Sequence, residues 1–473
     1  MKHSPCSSRI IFYSLWLVLS VIQASFTELS HDEAYYWLYS TQLAWGYFDH
    51  PPMIALLVKM GYLLIPNELG VRLFIIIMNT ATIFLIEKIV QPQNLKLFYA
   101  IIASIVLIHY GSILAIPDNP LLFFSALFFY FYKKYSEKPA AKLMLLLGVV
   151  AALMILSKYL AFLVLFFTFL SNPKVLLKPY TWLAGIISLT ILSPHIYWLY
   201  LHDFPSIKYQ LFARSATVFD ITYTLEYLIT QPLIYGPIIG FVLLYVAFGN
   251  KQTNQFEKTM QYNFLGIFIL FFIFTFKGKV EAHWTDSALI PLIFLSYNGI
   301  QNTKKLRQFA FYTLPVSLAI ILFARLMLMV DFYSEKIPLT REFHGWKNWT
   351  NEIKNLAGNR IVVFDNSYQN ASKYAFYSQS ESASRADMRG RKNQFEIWKS
   401  EDKLQNKPAM VISNFKGPGI ETLKNSPFPT HYYFVENYST YPEITVQAKT
   451  ENIKVNYGED FLIKINLIAE NEF

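Results

Sequence analysis

The chain has 473 residues, a formal net charge of +9, 54% hydrophobic residues and only 15% charged ones, with a mean hydropathy of +0.30. That is too little charge to coat several soluble domains, and 41 Phe with 32 Tyr exclude intrinsic disorder. The single cysteine, Cys6, excludes a disulfide scaffold, a thiol redox pair and a cysteine-rich metal knuckle, so the bulk of the chain is expected in lipid.

A membrane span needs roughly 20 mostly apolar residues to cross about 30 Å of hydrocarbon. Such runs lie near 10–25, 70–87, 97–115, 119–132, 141–157, 159–171, 179–200, 223–248, 261–276, 284–300 and 308–330, which predicts an all-α polytopic domain of about 11 transmembrane helices. Period-two alternation is absent, so helices rather than barrel strands are expected. With the amino terminus cytoplasmic, Arg9, Lys88, Lys96, Lys133, Lys134, Lys174, Lys178, Lys251, Lys258, Lys304 and Lys305 fall on the inner side. The outer loops then hold only Lys59, Lys158, Lys208, Arg214, Lys277 and Lys279. This asymmetry supports the orientation and accounts for the net charge without nucleic acid. Residues 1–25 also fit a cleaved signal peptide, with a basic start, an apolar run and Ala24-Ser25. Residues 26–69 lie outside in either case.

That first outer loop is too polar for membrane core and too aromatic for a simple linker. His31-Asp32-Glu33-Ala34-Tyr35-Tyr36-Trp37 predicts an interfacial helix capped by Ser30. Paired prolines in Gly46-Tyr47-Phe48-Asp49-His50-Pro51-Pro52 stop it and start a second interfacial helix over 52–64. Asp32, Glu33, Asp49 and His50 are thereby placed beside an apolar surface, where ionisable groups are costly unless paired or used. A carboxylate there suits proton abstraction from an acceptor hydroxyl; solvated residues in a first helical turn are the competing explanation for Asp32 and Glu33.

Farther along, Lys158 divides two apolar runs, and Asp118 opens a span just ahead of Pro120, where helix capping also accounts for it. Arg214 lies on the longest outer loop. Glu281 and His283 lie at an outer boundary, and with Asp49, His50 and Asp118 they are candidate ligands for a divalent cation or for substrate. His109 and His195 suggest no role. After about residue 331 apolar runs shorten to strand length, at 361–364, 409–412, 432–435 and 461–465, with short helices at 349–356 and 369–376. The division expected is a transmembrane catalytic domain over 1–330 and a small extracytoplasmic α/β domain over 331–473. Arg389, Arg391, Lys392, Asn393 and Gln394 form a basic, amide-rich run within it, either a solvated loop or a contact for an anionic acceptor.

The first-loop motifs H-D-E-A-Y-Y-W and G-Y-F-D-H-P-P resemble those of the C-type (GT-C) polytopic glycosyltransferases, in particular the protein O-mannosyltransferase-like and lipid A aminoarabinose transferase-like enzymes. P-D-N-P (117–120), S-K-Y (157–159), S-P-H-I-Y-W (193–198), E-A-H-W (281–284) and H-G-W-K (344–347) extend the likeness along the chain. The resemblance implies two juxtamembrane helices in the first outer loop, a polyprenyl-phosphate sugar donor, and a lipid, glycan or protein acceptor outside a bacterial inner membrane. It implies Asp32 as base, with Glu33 as substitute. The aminoarabinose transferases lack the F-D-H-P-P run, which leaves the sugar open. The charge that builds on a departing phosphate calls for a cation, and Lys158 and Arg214 are the candidates. A transporter or lipid flippase would also explain the spans, but not a long interfacial loop together with an outer α/β domain.

Overall fold

The computed structural model describes residues 5–210, 219–249, 251–332, 337–385, 391–423, 428–439, 444–448 and 465–469. Two compact units are present: residues 1–352 with 372–380, and residues 353–371 with 381–473. The composition change near residue 331 therefore precedes the division between units.

The first unit is helical. Four of its described helices are long and apolar enough to cross a bilayer: Cys6–Phe26, Glu68–Val90, Pro179–Leu201 and Lys304–Met329. A fifth span results if Ile221–Ile234 and Ile239–Phe248, bent by 102°, are taken together. The remaining apolar segments fold as shorter helices, including Ala141–Ser157 and Ala161–Ser171. The segment expected to cross at 97–115 is broken into Leu95–Ala103 and Val106–Gly111, followed by irregular chain up to Pro117. Ser104 ends the first piece and Ile105, in an extended conformation, opens the second.

Both juxtamembrane helices form, at His31–Thr41 and Met53–Leu64. A capping box closes here: the Ser30 hydroxyl accepts from the Glu33 backbone amide, and the Glu33 carboxylate accepts from the Ser30 backbone amide. The first helix stops at Thr41, well before the prolines. The Ser40 and Thr41 hydroxyls bond back to the Trp37 and Leu38 carbonyls, and Tyr47 supplies its hydroxyl to the turn beyond. The prolines thus shape only the start of the second helix.

In the second unit β1 (Ile361–Asp365), β2 (Ser382–Arg385), β3 (Ala409–Ser413), β4 (Glu421–Thr422) and β5 (His431–Val435) form one sheet in the order β2-β1-β3-β5-β4. β1 pairs parallel with β2 and β3, whereas β5 is antiparallel to β3 and β4. Val363, Ala383, Leu404, Ala409, Val411 and Tyr438 form its core. β6 (Ile444–Ala448) and β7 (Ile465–Ala469) make a separate antiparallel pair. β7 takes in the end of the strand expected at 461–465, whose first four residues lie outside the described residues.

Candidate active site

Glu33 and Arg72 hold the first outer loop in place. Both side chains are fully buried. Arg72 Nε and Nη2 each donate to a different Glu33 oxygen at 2.7 Å. Nη1 donates to the carbonyls of Ala24 and Thr27, and Nη2 also to that of Glu28. Glu33 accepts in addition from the amides of Ser30 and Ala115, at 2.9 Å each. A buried ion pair is tolerated when its remaining hydrogen-bonding capacity is met, as here. Glu33 thus joins the loop, the Glu68–Val90 helix and the turn ahead of Asp118. Its carboxylate is occupied by structural partners, so the geometry does not favour it as a base.

Asp32, one residue earlier on the same helix, is exposed. It lies within electrostatic reach of Tyr110, as do Asp118, Glu33 and Glu342. Tyr110 lines a small cleft with Leu107, Gly111, Ile116, Asp118, Asn119, Leu122, His283, Asp286 and Leu289. Asp118 opens the helix Asp118–Glu137 and makes no capping bond, contrary to what its place before proline suggests. Its carboxylate instead takes the Lys158 ammonium at 2.5 Å. Lys158 is 9% exposed and caps the C-terminal end of Ala141–Ser157 in extended conformation. The resting structure therefore commits Lys158 to Asp118, and the phosphate role expected for it finds no geometric support. Asn119 braces the turn by donating to the Leu114 carbonyl at 2.6 Å.

His283 and Asp286 reach the cleft from the 3-10 turn Ala282–Ala288. Two side chains pin this turn. Tyr235 donates to the Thr285 carbonyl at 2.7 Å, and Gln231 bonds to both Thr285 and Ala282. Glu281 caps the same turn through backbone alone and is absent from the cleft wall.

Asp49 and His50 are elsewhere. Asp49 is buried and accepts from the Tyr39 hydroxyl at 3.1 Å, below the stacked Tyr39 and Tyr47 rings. His50 packs edge-on against Tyr36. Among the described residues no three His, Cys, Asp or Glu side chains gather to hold a metal ion. The five-residue set expected to hold a divalent cation thus does not assemble, because Asp49, His50 and Glu281 face other neighbours than Asp118 and His283. Arg214 and Arg389 lie outside the described residues. In the remainder of the basic run, Arg391 donates to the Tyr368 hydroxyl and Asn393 caps the short helix that follows.

Several contributors escaped the sequence reading. Asp286 follows the E-A-H-W motif with no spacing signal of its own. His195 is a clamp: Nδ1 lies 2.6 Å from the Trp45 carbonyl oxygen and Nε2 lies 3.1 Å from the Tyr159 hydroxyl. Gly46 follows Trp45, and a Cβ there would meet the Trp198 ring at 2.4 Å. The S-P-H-I-Y-W motif therefore serves to seat the first loop. Near the start of that loop, His31 contacts Glu342, whose carbonyl takes the buried Lys373 ammonium, and Lys373 lies over the Trp346 ring at 4.2 Å. Burial pushes the Lys373 amine down to about 7, against the opposing pull of Glu342, Glu28 and Glu33.

The fold has counterparts among known proteins. A family model for dolichyl-phosphate-mannose-protein mannosyltransferases matches residues 49–198. A lipid A galacturonosyltransferase of Rhizobium johnstonii is 23% identical over 398 residues, covering 77% of this chain and 81% of that protein. ArnT from Cupriavidus metallidurans in the apo state aligns with a TM-score of 0.63 at 12% identity, over 91% of this chain and 98% of the other. The same protein bound to undecaprenyl phosphate aligns with a TM-score of 0.61 at 12% identity and the same coverage. The chain shares the fold of these solved structures, and its residues 49–198 match the mannosyltransferase family model.

Proposed function

We propose that this enzyme moves a sugar from a polyprenyl phosphate to a hydroxyl of a lipid, glycan or protein acceptor at the outer face of a bacterial inner membrane. A lipid acceptor is favoured, because a relative of comparable length acts on lipid A. The observation that carries the reading is the small cleft into which Asp118, His283 and Asp286 project, lined also by Tyr110, which lies within electrostatic reach of the exposed Asp32.

In the proposed reaction Asp32 takes the acceptor's hydroxyl proton as the oxygen attacks the anomeric carbon. The bond from that carbon to the phosphate oxygen breaks, and polyprenyl phosphate leaves with the electron pair, needing no proton. A single displacement of this kind inverts the anomeric centre. Glu33 and Arg72 fix the helix that carries Asp32, and Lys158 holds Asp118 at the cleft wall. The Lys and Arg asymmetry supports an outward-facing first loop.

The test is glycosyl transfer by the purified protein in detergent, using polyprenyl-phosphate sugars and lipid acceptors. A labelled acceptor is expected. A transporter or flippase gives no product where no compartments exist, and the absence of product with every donor and acceptor pair refutes the reading.

A further inference from the structure

The helix that carries Asp32 is held at its start by chain from beyond the last span. Amides in the first turn of a helix have no partner within it. His31 opens this helix, and its amide donates to Glu342 Oε1 at 2.8 Å. The His31 imidazole reaches the same oxygen through Nδ1, at 3.0 Å. Burial alone would raise the Glu342 carboxyl, but the bonds from His31 and the charge of Lys373 hold it at about 2, so it stays ionised and accepts. Glu342 is itself fixed, because its carbonyl takes the ammonium of the fully buried Lys373, which lies over the Trp346 ring. The H-G-W-K stretch that follows is tied down along its length. His344 Nε2 lies 2.9 Å from the Met327 carbonyl oxygen, the Trp346 amide donates to Glu28 at 2.8 Å, and the Lys347 ammonium pairs with Glu68 at 2.6 Å. The Leu29 amide donates to the Tyr377 hydroxyl at 2.7 Å. Residues 342–347 thus brace the start of the first loop. Glu342 and Asp32 also both lie within electrostatic reach of Tyr110 in the cleft wall.

Resting on the proposed function, we infer that Glu342 is a positioning residue for the base: by holding the His31 amide it sets where the Asp32 carboxylate stands against the acceptor hydroxyl. His31 immediately precedes Asp32, so a shift of its amide moves the carboxylate. Arg72 anchors the residue after Asp32, through Glu33, and Glu342 anchors the residue before it. Proton abstraction needs hydrogen-bond reach, and misplacement by about 1 Å can cost on the order of a hundredfold in rate. Both bonds from His31 converge on one oxygen. A glutamine oxygen can replace it, whereas an aspartate is one methylene too short. The role therefore depends on reach and not on charge.

The experiment measures sugar transfer to lipid A by the full-length protein in detergent, at a temperature where every variant is folded. Undecaprenyl-phosphate donors carrying a neutral hexose, an amino-pentose or a hexuronic acid are offered to the parent, and its fastest donor serves for Glu342→Gln, Glu342→Asp, Glu342→Ala and Asp32→Asn. Glu342→Asp and Glu342→Ala should lower kcat at least roughly tenfold with donor KM unchanged, while Glu342→Gln stays within about threefold of the parent. Equal kcat in Glu342→Asp and Glu342→Gln, or a faster Glu342→Asp, overturns the inference, as does a loss confined to donor KM. Beside a defective Asp32→Asn, those outcomes leave the proposed function standing. Parental transfer by Asp32→Asn removes the base and the inference with it, and no transfer by the parent from any donor overturns the proposed function as well. Should Glu342→Ala not fold, the comparison of Glu342→Gln with Glu342→Asp decides. Failure of all three to fold assigns Glu342 to folding alone and overturns the inference.

Discussion

Replacing Glu33 with alanine separates a structural acid from a catalytic one. The substitution strips Arg72 of both carboxylate bonds and leaves the amides of Ser30 and Ala115 without an acceptor. Arg72 keeps only the three backbone carbonyls of Ala24, Thr27 and Glu28. Its fully buried guanidinium then has no counter-ion. Breaking a buried pair from one side costs about 3–5 kcal/mol. In a helical unit of this size that corresponds to a fall in melting temperature of roughly 5–8 °C, since the shift per kcal/mol shrinks as domains grow. The double variant Glu33→Met with Arg72→Met should recover part of the loss, because no lone charge remains. Thermal unfolding in detergent, followed by tryptophan fluorescence or loss of monodisperse protein, reads the effect. A Glu33→Ala protein that melts within 1 °C of the parent yet transfers no sugar would refute the reasoning and return Glu33 to the chemistry.

Gly46→Ala forces a methyl group into the Trp198 ring and should displace the first loop, lowering transfer at least roughly tenfold; Trp198→Leu in the same protein should restore part of it. His195→Ala removes the contacts to Trp45 and Tyr159 and should raise KM and lower kcat together, since the loop, not a reacting group, is lost. Lys373 titrates near 7 when folded against an ordinary value of 10.5. Between these values the unfolded chain binds the extra proton, so this residue's contribution makes stability rise with pH across that window. Melting of Lys373→Met between pH 7 and 10 should show a flatter slope than the parent, and an identical slope counts against the assignment.

Elements set by local chemistry were legible in the sequence. Ser30 announced the cap of the first juxtamembrane helix, Pro51-Pro52 the second juxtamembrane helix, and the apolar runs the helical unit. The strands at Ile361, Ala409 and His431 followed from short β-branched and aromatic runs. Pairings across the chain were not legible. Glu33 meets Arg72 from 39 residues away and Asp118 meets Lys158 from 40, and neither separation has a period that a sequence pattern carries. Such contacts depend on which helix faces pack. For the same reason Lys158 reads as a phosphate ligand in the sequence and as the partner of Asp118 in the fold. The break at Ile105 was also hidden, because Leu97 to Ile108 is apolar apart from Ser104. Asp286 lay beyond a motif that ends at Trp284, and only the turn held by Tyr235 shows where it points.

The most direct measurement is sugar transfer by Asp32→Asn beside Asp32→Glu, in preparations whose melting temperatures match the parent. Asparagine cannot accept the acceptor's proton, whereas a displaced carboxylate can. The account predicts transfer reduced at least roughly a hundredfold in Asp32→Asn with donor binding retained, and partial activity in Asp32→Glu. Parental rates in Asp32→Asn would contradict it.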